Sequence, residues 1–253
     1  GSLSNGGTIT AQNVGMAVTG NVGGDLTNTG SISGRTAGVL VAGDVTGSIT
    51  NSGTITSAEG VALQIDGDAR NITNSGTLSC TSGLVVGGIV SGDVVNSGTI
   101  VVSDVGLSCG SIGTVTNSGT ITATGAGSVG LYTQGTASVM NSGSVTANGT
   151  GSAAIVLAGA TQTLVNSGTI ASDNVAVASN GDDTIVMATG ASVSGAIVSS
   201  GAGSTLCFGS GAAVVPGGDL LASGSSAFDM TYGGAVSNFN TVFLAGTTNF
   251  NGA

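Results

Sequence analysis

Histidine, lysine and tryptophan are absent from this chain of 253 residues, and charged residues make up 6% of it. An average protein carries about 25% charged residues. The cations are Arg35 and Arg70, against 12 acidic residues, so the formal net charge is −10. Nucleic acids and anionic membrane surfaces bind clustered Lys and Arg, which this sequence lacks. We therefore expect neither of them as a partner.

Proline, cysteine and long apolar runs are also scarce. One proline and no three-residue glycine period exclude collagen. The longest apolar stretches, such as residues 83–90, are short and broken by Gly, so we expect no membrane insertion. Cys80, Cys109 and Cys207 have no CxxC spacing and are predicted to be small buried side chains. The opening Gly-Ser-Leu-Ser predicts a mature fragment or a cloned piece.

Glycine and small polar residues are abundant, and they form a repeat. Hydrophobic residues make up 40% of the chain and recur regularly, which argues against disorder. A motif of Asn, a small residue, Gly, Ser or Thr and an aliphatic residue occurs eight times, at a mean interval of 23 residues. This interval matches one turn of a three-sided parallel β-helix. The asparagines are Asn5, Asn28, Asn51, Asn74, Asn96, Asn117, Asn141 and Asn166.

Each motif residue has a predicted local role. We expect each Asn to hydrogen-bond its own turn and to stack on the Asn of the next coil, as a structural ladder. We expect the motif Gly to supply a positive φ at the corner.

Aliphatic residues recur at three places in each repeat. One lies four residues after the Asn, one lies two residues before it, and a Gly-led strand between them alternates inward and outward residues. Alternation with period two predicts a strand with one buried face. The predicted inward pairs of the Gly-led strand are Met16/Val18, Val39/Val41, Val61/Leu63, Leu84/Val86, Leu107/Cys109 and Leu131/Thr133.

These patterns predict an all-β fold, a right-handed parallel β-helix, with the hand taken from the general preference of parallel connections. Eleven coils would span roughly 50 Å at about 4.8 Å per coil. Regular coils are predicted for residues 1–180, and irregular coils of the same solenoid for residues 181–253, where the repeat decays. Most aromatic residues lie in that second part: Phe208, Phe228, Tyr232, Phe239, Phe243 and Phe250.

The Asn-Ser-Gly-Thr-Ile coils resemble the passenger regions of bacterial autotransporters, the type V secretion family. The stretches Gly181-Asp182-Asp183-Thr184-Ile185 and Asn238-Phe239-Asn240-Thr241-Val242 resemble the end of such passengers. The resemblance covers nearly the whole chain. It implies secretion across an outer membrane and display on the bacterial cell surface, often as an adhesin.

Acidic residues offer the main candidates for chemistry. Asp25, Asp44, Asp68 and Asp93 follow Gly in four successive coils, and stacked carboxylates can hold Ca²⁺. The simpler interpretation is a solvated turn in which each Asp caps its own backbone. The Gly-Asp-Asp-Thr-Ile segment at 181–185 is similar to one calcium-binding nonapeptide, but such sites need tandem copies. We therefore predict no metal and no cofactor.

Hydrolases with a parallel β-helix are the alternative that would make the chain an enzyme. They need clustered carboxylates with Arg, Lys or His beside them. Without His there is no ordinary Ser–His pair, and without Lys there is no lysine base. We therefore predict that the chain is not an enzyme.

The exposed residues and one corner give several weaker signals. Thr-Ile-Thr and Ser-Ile-Ser segments place hydroxyl pairs in an array that suits an ice-binding or crystal-matching face, although Thr also simply suits an exposed strand. Length varies near residues 123–130, which predicts a loop for recognition. Tyr132 is a possible contact residue, and both arginines are predicted to be exposed, solubilising charges.

Two functions remain compatible with these observations. The first is a non-enzymatic surface or secreted passenger that acts as a structural stalk or adhesin and binds host or bacterial surface molecules. The second is a self-assembling extracellular filament or surface-layer subunit, because edges without Lys and weakly charged flanks favour head-to-tail or lateral association.

Overall fold

A computed structural model describes residues 1–209 and 231–244. Within these ranges every regular element is a β-strand, and each strand pairs in parallel with strands of neighbouring coils. The predicted fold class is confirmed, as a parallel β-solenoid with about 23 residues per coil and about nine turns. The expected eleven coils included residues outside the described ranges.

Three sides make up each coil, and we name them by their sequence. The asparagine side consists of β1 (Leu3–Asn5), β4 (Leu26–Asn28), β7 (Val45–Asn51), β10 (Ala69–Asn74), β17 (Ser138–Asn141), β20 (Thr163–Asn166), β22 (Thr184–Met187), β24 (Thr205–Phe208) and β27 (Thr241–Leu244). The threonine side consists of β2 (Thr8–Thr10), β5 (Ser31–Gly34), β8 (Thr54–Ser57), β11 (Thr77–Cys80), β13 (Thr99–Val102), β15 (Thr120–Ala123), β18 (Ser144–Ala147) and β25 (Thr231–Gly233). The glycine side consists of β3 (Val14–Val18), β6 (Ala37–Val41), β9 (Val61–Ile65), β16 (Val129–Gln134), β19 (Ala153–Leu157) and β26 (Val236–Ser237).

Four longer strands turn a corner and serve two sides. β12 (Ser82–Asn96) and β14 (Val105–Asn117) run from the glycine side into the asparagine side of the next coil. β21 (Thr169–Ser179) and β23 (Ser192–Ser199) run from the threonine side into the glycine side.

The core is a stack of aliphatic columns inside the triangle. On the threonine side the column from Ile32 to Ile170 pairs residue on residue, and its members are at most 1% exposed. On the asparagine side the column from Leu26 to Leu164 is equally buried. Aliphatic side chains of similar size therefore repeat at the spacing of parallel strands, about 4.8 Å.

The glycine side corrects one predicted inward pair. Val39 aligns with Leu63, and Val41 aligns with Ile65, so the buried pair of that coil is Leu63/Ile65 and not Val61/Leu63. Val61 lies at the corner and is half-buried. Alternation gave the correct face, but it could not fix where the strand begins relative to the neighbouring coil, because the preceding corner is one residue longer.

The glycine of the repeated motif has a different role from the predicted one. Positive φ among described glycines occurs at other positions, such as Gly127 and Gly149, and at none in the motif. A Cβ built on Gly98 would instead collide with the backbone oxygen of Gly76 in the preceding coil, and six other motif glycines are in the same situation. The residue is small because successive turns approach too closely for any side chain.

We expect Gly98→Ala to lower the free energy of unfolding by about 2–3 kcal/mol, because backbone must move to admit the methyl group. Gly7→Ala is the matched control, since Gly7 has the same place in the first motif and a Cβ there meets nothing within 4 Å. Urea unfolding followed by circular dichroism measures both. Equal losses would contradict the proposed collision.

Two loops lengthen the corner between the threonine and glycine sides, where variation in length was predicted. They span residues 124–128 and 148–152. The amide of Gly127 donates to the oxygen of Thr150 at 2.9 Å, and the amide of Gly149 donates to Oδ2 of Asp173 at 2.9 Å. The first loop therefore stacks on the second, and the second is bonded to the next coil through Asp173.

The described strands after residue 181 continue the same stack, since β22 pairs with β20 and β24, and β24 pairs with β27. The rings of Phe208 and Tyr232 lie 6.2 Å apart between centroids, tilted by 54°. Of the other C-terminal aromatic residues, Phe228 and Phe250 lie outside the described residues.

Candidate functional site

The eight motif asparagines form one hydrogen-bonded column on the asparagine side. Each Nδ2 donates to the Oδ1 of the next Asn, at 2.8 Å from Asn5 through Asn117 and at 2.7 Å from Asn141 to Asn166. All eight side chains are buried. A buried amide is tolerated only when its donors and acceptors are paired, and the column pairs them between coils.

Every Asn of the column also closes its own turn. The same Nδ2 donates to the carbonyl oxygen of the motif Gly two residues later, for example from Asn28 to Gly30 at 3.2 Å. The column ends at Asn166, whose Nδ2 faces Sδ of Met187 at 3.8 Å. Its position, burial and bonding make this column a scaffold, with no atom open to a ligand between its ends.

The corner aspartates fall into two columns and not one. Asp44 and Asp68 share a column with Asn21, and Asp25 and Asp93 share another with Ser48 and Asn71. The carboxylates of Asp25, Asp44 and Asp68 accept from backbone amides of the next coil, as Asp25 Oδ1 does from Ser48 at 2.8 Å. For these three the prediction that each Asp caps its own backbone is therefore wrong about the partner.

This difference follows from the geometry of a solenoid. The nearest free amide to a corner carboxylate belongs to the coil stacked on it, about 4.8 Å away. A shallow cavity of about 290 Å³ opens at this corner, lined by residues that include Asp44, Asp68 and Arg70. Within residues 1–209 and 231–244, no three His, Cys, Asp or Glu side chains are grouped to hold a metal ion.

Chelation tests the calcium interpretation directly. We expect EDTA to leave the melting temperature unchanged, because Asp25, Asp44 and Asp68 already accept from backbone amides of the next coil. Differential scanning calorimetry with EDTA and with added Ca²⁺ measures this. A melting temperature that falls on chelation and returns with Ca²⁺ would restore calcium binding as a function of these columns.

A buried polar network in the later coils was missed by the sequence analysis. Thr133 Oγ1 donates to the side-chain oxygen Oε1 of Gln162 at 2.6 Å, and the backbone amide of Gln162 donates to Asp183 Oδ1 at 2.7 Å. Ser179 Oγ donates to Asp183 Oδ2 at 2.7 Å, and Ser199 Oγ donates to Ser204 Oγ at 2.6 Å. These residues lie at or beside the corner between the glycine side and the following asparagine side. In earlier coils this corner is apolar, with Val22 and Val45 buried there.

Asp183 is the carboxylate of this network. Its side chain is fully buried, and the resulting desolvation raises its pKa above the ordinary value, while hydrogen bonds from Ser179, Gln162 and Gly181 oppose the shift. Asp182, the neighbouring residue, is exposed and accepts from the amide of Gly203 at 2.7 Å. The Asp-Asp pair was the available signal in the sequence, but it could not show which carboxylate turns inward.

The raised pKa of Asp183 gives a signed dependence on pH. Its protonated form is favoured by folding, so its stabilising contribution is full below the unfolded pKa and is lost as pH rises through the folded pKa. We expect Asp183→Asn to remove this loss because an amide does not titrate, and its oxygen can still accept from the backbone amide of Gln162.

Urea titrations between about pH 3.5 and pH 7 measure the effect, with Asp182→Asn as the exposed neighbouring control. An unchanged slope in Asp183→Asn would show that the carboxylate does not titrate in this range.

The remaining predicted residues lie apart from one another. Burial raises the pKa of the Cys109 thiol to about 12 and that of Cys80 and Cys207 to about 11, so the thiols are protonated at neutral pH. Arg35 forms an exposed ion pair with Glu59 at 2.9 Å. Tyr132 is half-buried and accepts from Gln134 Nε2 at 2.9 Å.

The described part of the chain contains no helix that is long and apolar enough to cross a membrane. Comparisons with protein families, with curated proteins and with solved structures found no match to this chain.

Proposed function

We propose that this chain is a non-enzymatic extracellular passenger of the autotransporter type, secreted across an outer membrane and acting as a structural stalk or adhesin on the bacterial cell surface. The observation that supports it most is the in-register stack of about nine coils, joined by one column of buried asparagines. A stack of this kind is rigid along its length, and about nine rungs span roughly 43 Å.

The surface chemistry is consistent with presentation and not catalysis. Described acidic groups outside the network lie mostly at corners, and several of their oxygens accept from the backbone of a neighbouring coil, as those of Asp25, Asp44 and Asp173 do. Exposed residues are mainly Ser, Thr and Gly, and the loops at 124–128 and 148–152 are the irregular part of one corner. Those loops are where an adhesin on this scaffold would contact host or bacterial surface molecules.

Surface display tests the proposal. The chain is joined to an autotransporter translocator in a Gram-negative bacterium, and protease accessibility on intact cells and attachment to cell monolayers are measured. We expect surface exposure and attachment above that of the translocator alone. Replacing both loops by the two-residue corner of residues 35–36 should reduce attachment and preserve exposure. Exposure without any added attachment would overturn adhesion and leave a stalk.

Self-assembly is the second candidate, favoured by flanks with few charges, which offer little repulsion to side-by-side packing. Sedimentation over a wide concentration range, with electron microscopy, separates the two functions. Fibres or layers that dissociate with Ser4→Lys, and not with Thr56→Lys, would place the contact at the rod end. A monomer at all concentrations would exclude the filament.

A further inference from the structure

The threonine side carries an ordered array of hydroxyl groups that neither proposed function requires. From β2 to β23 its outward residues form two columns, each pairing residue on residue through nine rungs, and β25 follows as a tenth rung with Gly233 in the second column. The first column has a hydroxyl in each of the nine rungs: Thr8, Ser31, Thr54, Thr77, Thr99, Thr120, Ser144, Thr169 and Ser192. The second column has one in seven of nine: Thr10, Ser33, Thr56, Ser79, Thr122, Thr146 and Ser194.

The array is supported by the core beneath it. From Ile32 to Val193 the inward residue of each rung is an aliphatic at most 1% exposed, and Ile9 in the first rung is partly buried against the same core. Pairing along this side has no register shift, whereas the other two sides contain several. The outward hydroxyls therefore repeat with the strand spacing itself.

These hydroxyls are available to a ligand. Within residues 1–209 and 231–244, the hydroxyl groups of the two columns make one hydrogen bond, between Ser144 Oγ and Thr146 Oγ1 at 3.4 Å. At the other corners, by contrast, Asp25, Asp44 and Asp68 are engaged by the backbone of the next coil. The hydroxyl columns themselves contain no charged residue, whereas Asp173 of β21 and the exposed Arg35–Glu59 ion pair lie at the corner with the glycine side.

The composition of this face disfavours a protein or an ionic partner. Hot spots of protein interfaces are enriched in Trp, Tyr and Arg, and the two hydroxyl columns contain none of these residues. Arg35 and Glu59, at the adjoining corner, pair with each other, so the face offers little to a phosphate or a carboxylate. An uncharged partner that is itself a periodic array of hydrogen-bonding oxygens fits, because many weak bonds to a rigid solid form without ordering a flexible ligand.

The spacing identifies that partner. Neighbouring rungs are about 4.8 Å apart, and residues two apart on one strand are about 6.6 Å apart. In a tetrahedral water lattice with an O···O distance of about 2.75 Å, geometry gives repeats of about 4.5 Å and about 7.3 Å. The two grids agree to within about a tenth in both directions.

We propose that the threonine side binds the surface of ice, through the patch of its first four coils. The rung spacing exceeds the lattice repeat by about 0.3 Å, so alignment holds over about four rungs. The first four coils carry hydroxyls in both columns without interruption, whereas Val101 and Ala171 interrupt later coils. This function does not depend on adhesion or self-assembly.

Partition into slowly grown ice tests the proposal. We expect the wild-type chain to be enriched several-fold in the ice over an unrelated protein of similar size, and to shape ice crystals. Thr54→Tyr, in the centre of the patch, should abolish enrichment, because the tyrosine ring projects from the face and prevents contact between the neighbouring hydroxyls and the ice surface. Gln64→Tyr, an outward residue on the glycine side of the same coil, and Thr54→Ser should retain it.

Circular dichroism checks that each variant is folded. If Thr54→Tyr does not fold, Thr56→Tyr in the second column is used in its place. Exclusion of the wild-type chain from ice would overturn the proposal. Equal partition of Thr54→Tyr and Gln64→Tyr would overturn the assignment to this face. Binding to microcrystalline cellulose together with exclusion from ice would assign the array to a polysaccharide solid.

Discussion

Replacing Ile121 by Asp should unfold the middle of the rod. Ile121 lies in the aliphatic column of the threonine side, between Ile100 and Val145, and it is fully buried. Arg35 and Arg70 are the chain's only cations, and neither lies near this coil in the stack, so the new carboxylate has no partner. An unpaired buried charge costs more than about 4 kcal/mol. Urea unfolding and limited proteolysis measure the loss.

Thr122→Asp is the matched control, because it introduces the same charge one residue later. Thr122 points outward between Val101 and Thr146, so its carboxylate remains in water. We expect a change within about 0.5 kcal/mol. In Ile121→Asp, stability should recover partly in acid as the carboxyl becomes neutral. Similar losses in the two variants would show that the inward face is assigned wrongly.

Asn117→Leu should have the second largest effect. Leu has nearly the same shape as Asn but neither donor nor acceptor, so Asn96 Nδ2 loses one of its two acceptors and Asn141 Oδ1 loses its donor, each at 2.8 Å. Both groups remain buried, and each unsatisfied group costs about 1–3 kcal/mol. We expect the free energy of unfolding to fall by about 2–5 kcal/mol, measured by calorimetry and by urea titration.

Asn166→Leu provides a graded comparison at the end of the column. This variant removes the bond from Asn141 at 2.7 Å, but on its other side it loses only a contact with the sulfur of Met187. We expect its loss to be about half that of Asn117→Leu. The exposed loop variant Asn148→Ser should be close to neutral. Equal effects at the three positions would mean that the column contributes no more than ordinary polar residues do.

The relation between sequence and structure is closest along the threonine side. There, alternation and a fixed distance from each Asn predicted the inward column, because any shift of one residue would move every aliphatic side chain into water. The period of the motif predicted the parallel solenoid for the same reason, since one repeat cannot bury its apolar face alone.

Where the corners change length, the sequence was insufficient. Val61/Leu63 was predicted in place of Leu63/Ile65 because the phase of alternation is the same for both pairs. Pairing with Val39 and Val41 in the preceding coil decides between them. The motif glycine was predicted to supply a positive φ. The structure shows instead that the backbone of the neighbouring coil leaves no room for a side chain at this position.

By itself, the sequence determined the solenoid, its period, its three sides and the inward columns of the asparagine and threonine sides, because these follow from local alternation and a repeating interval. The partner of each corner carboxylate, the inward turn of Asp183 and the network from Thr133 to Ser204 were decided by tertiary structure alone. The physical reason is that hydrogen bonds between coils join residues about 20 to 29 positions apart, and only the stacking of one coil on the next sets which of them meet.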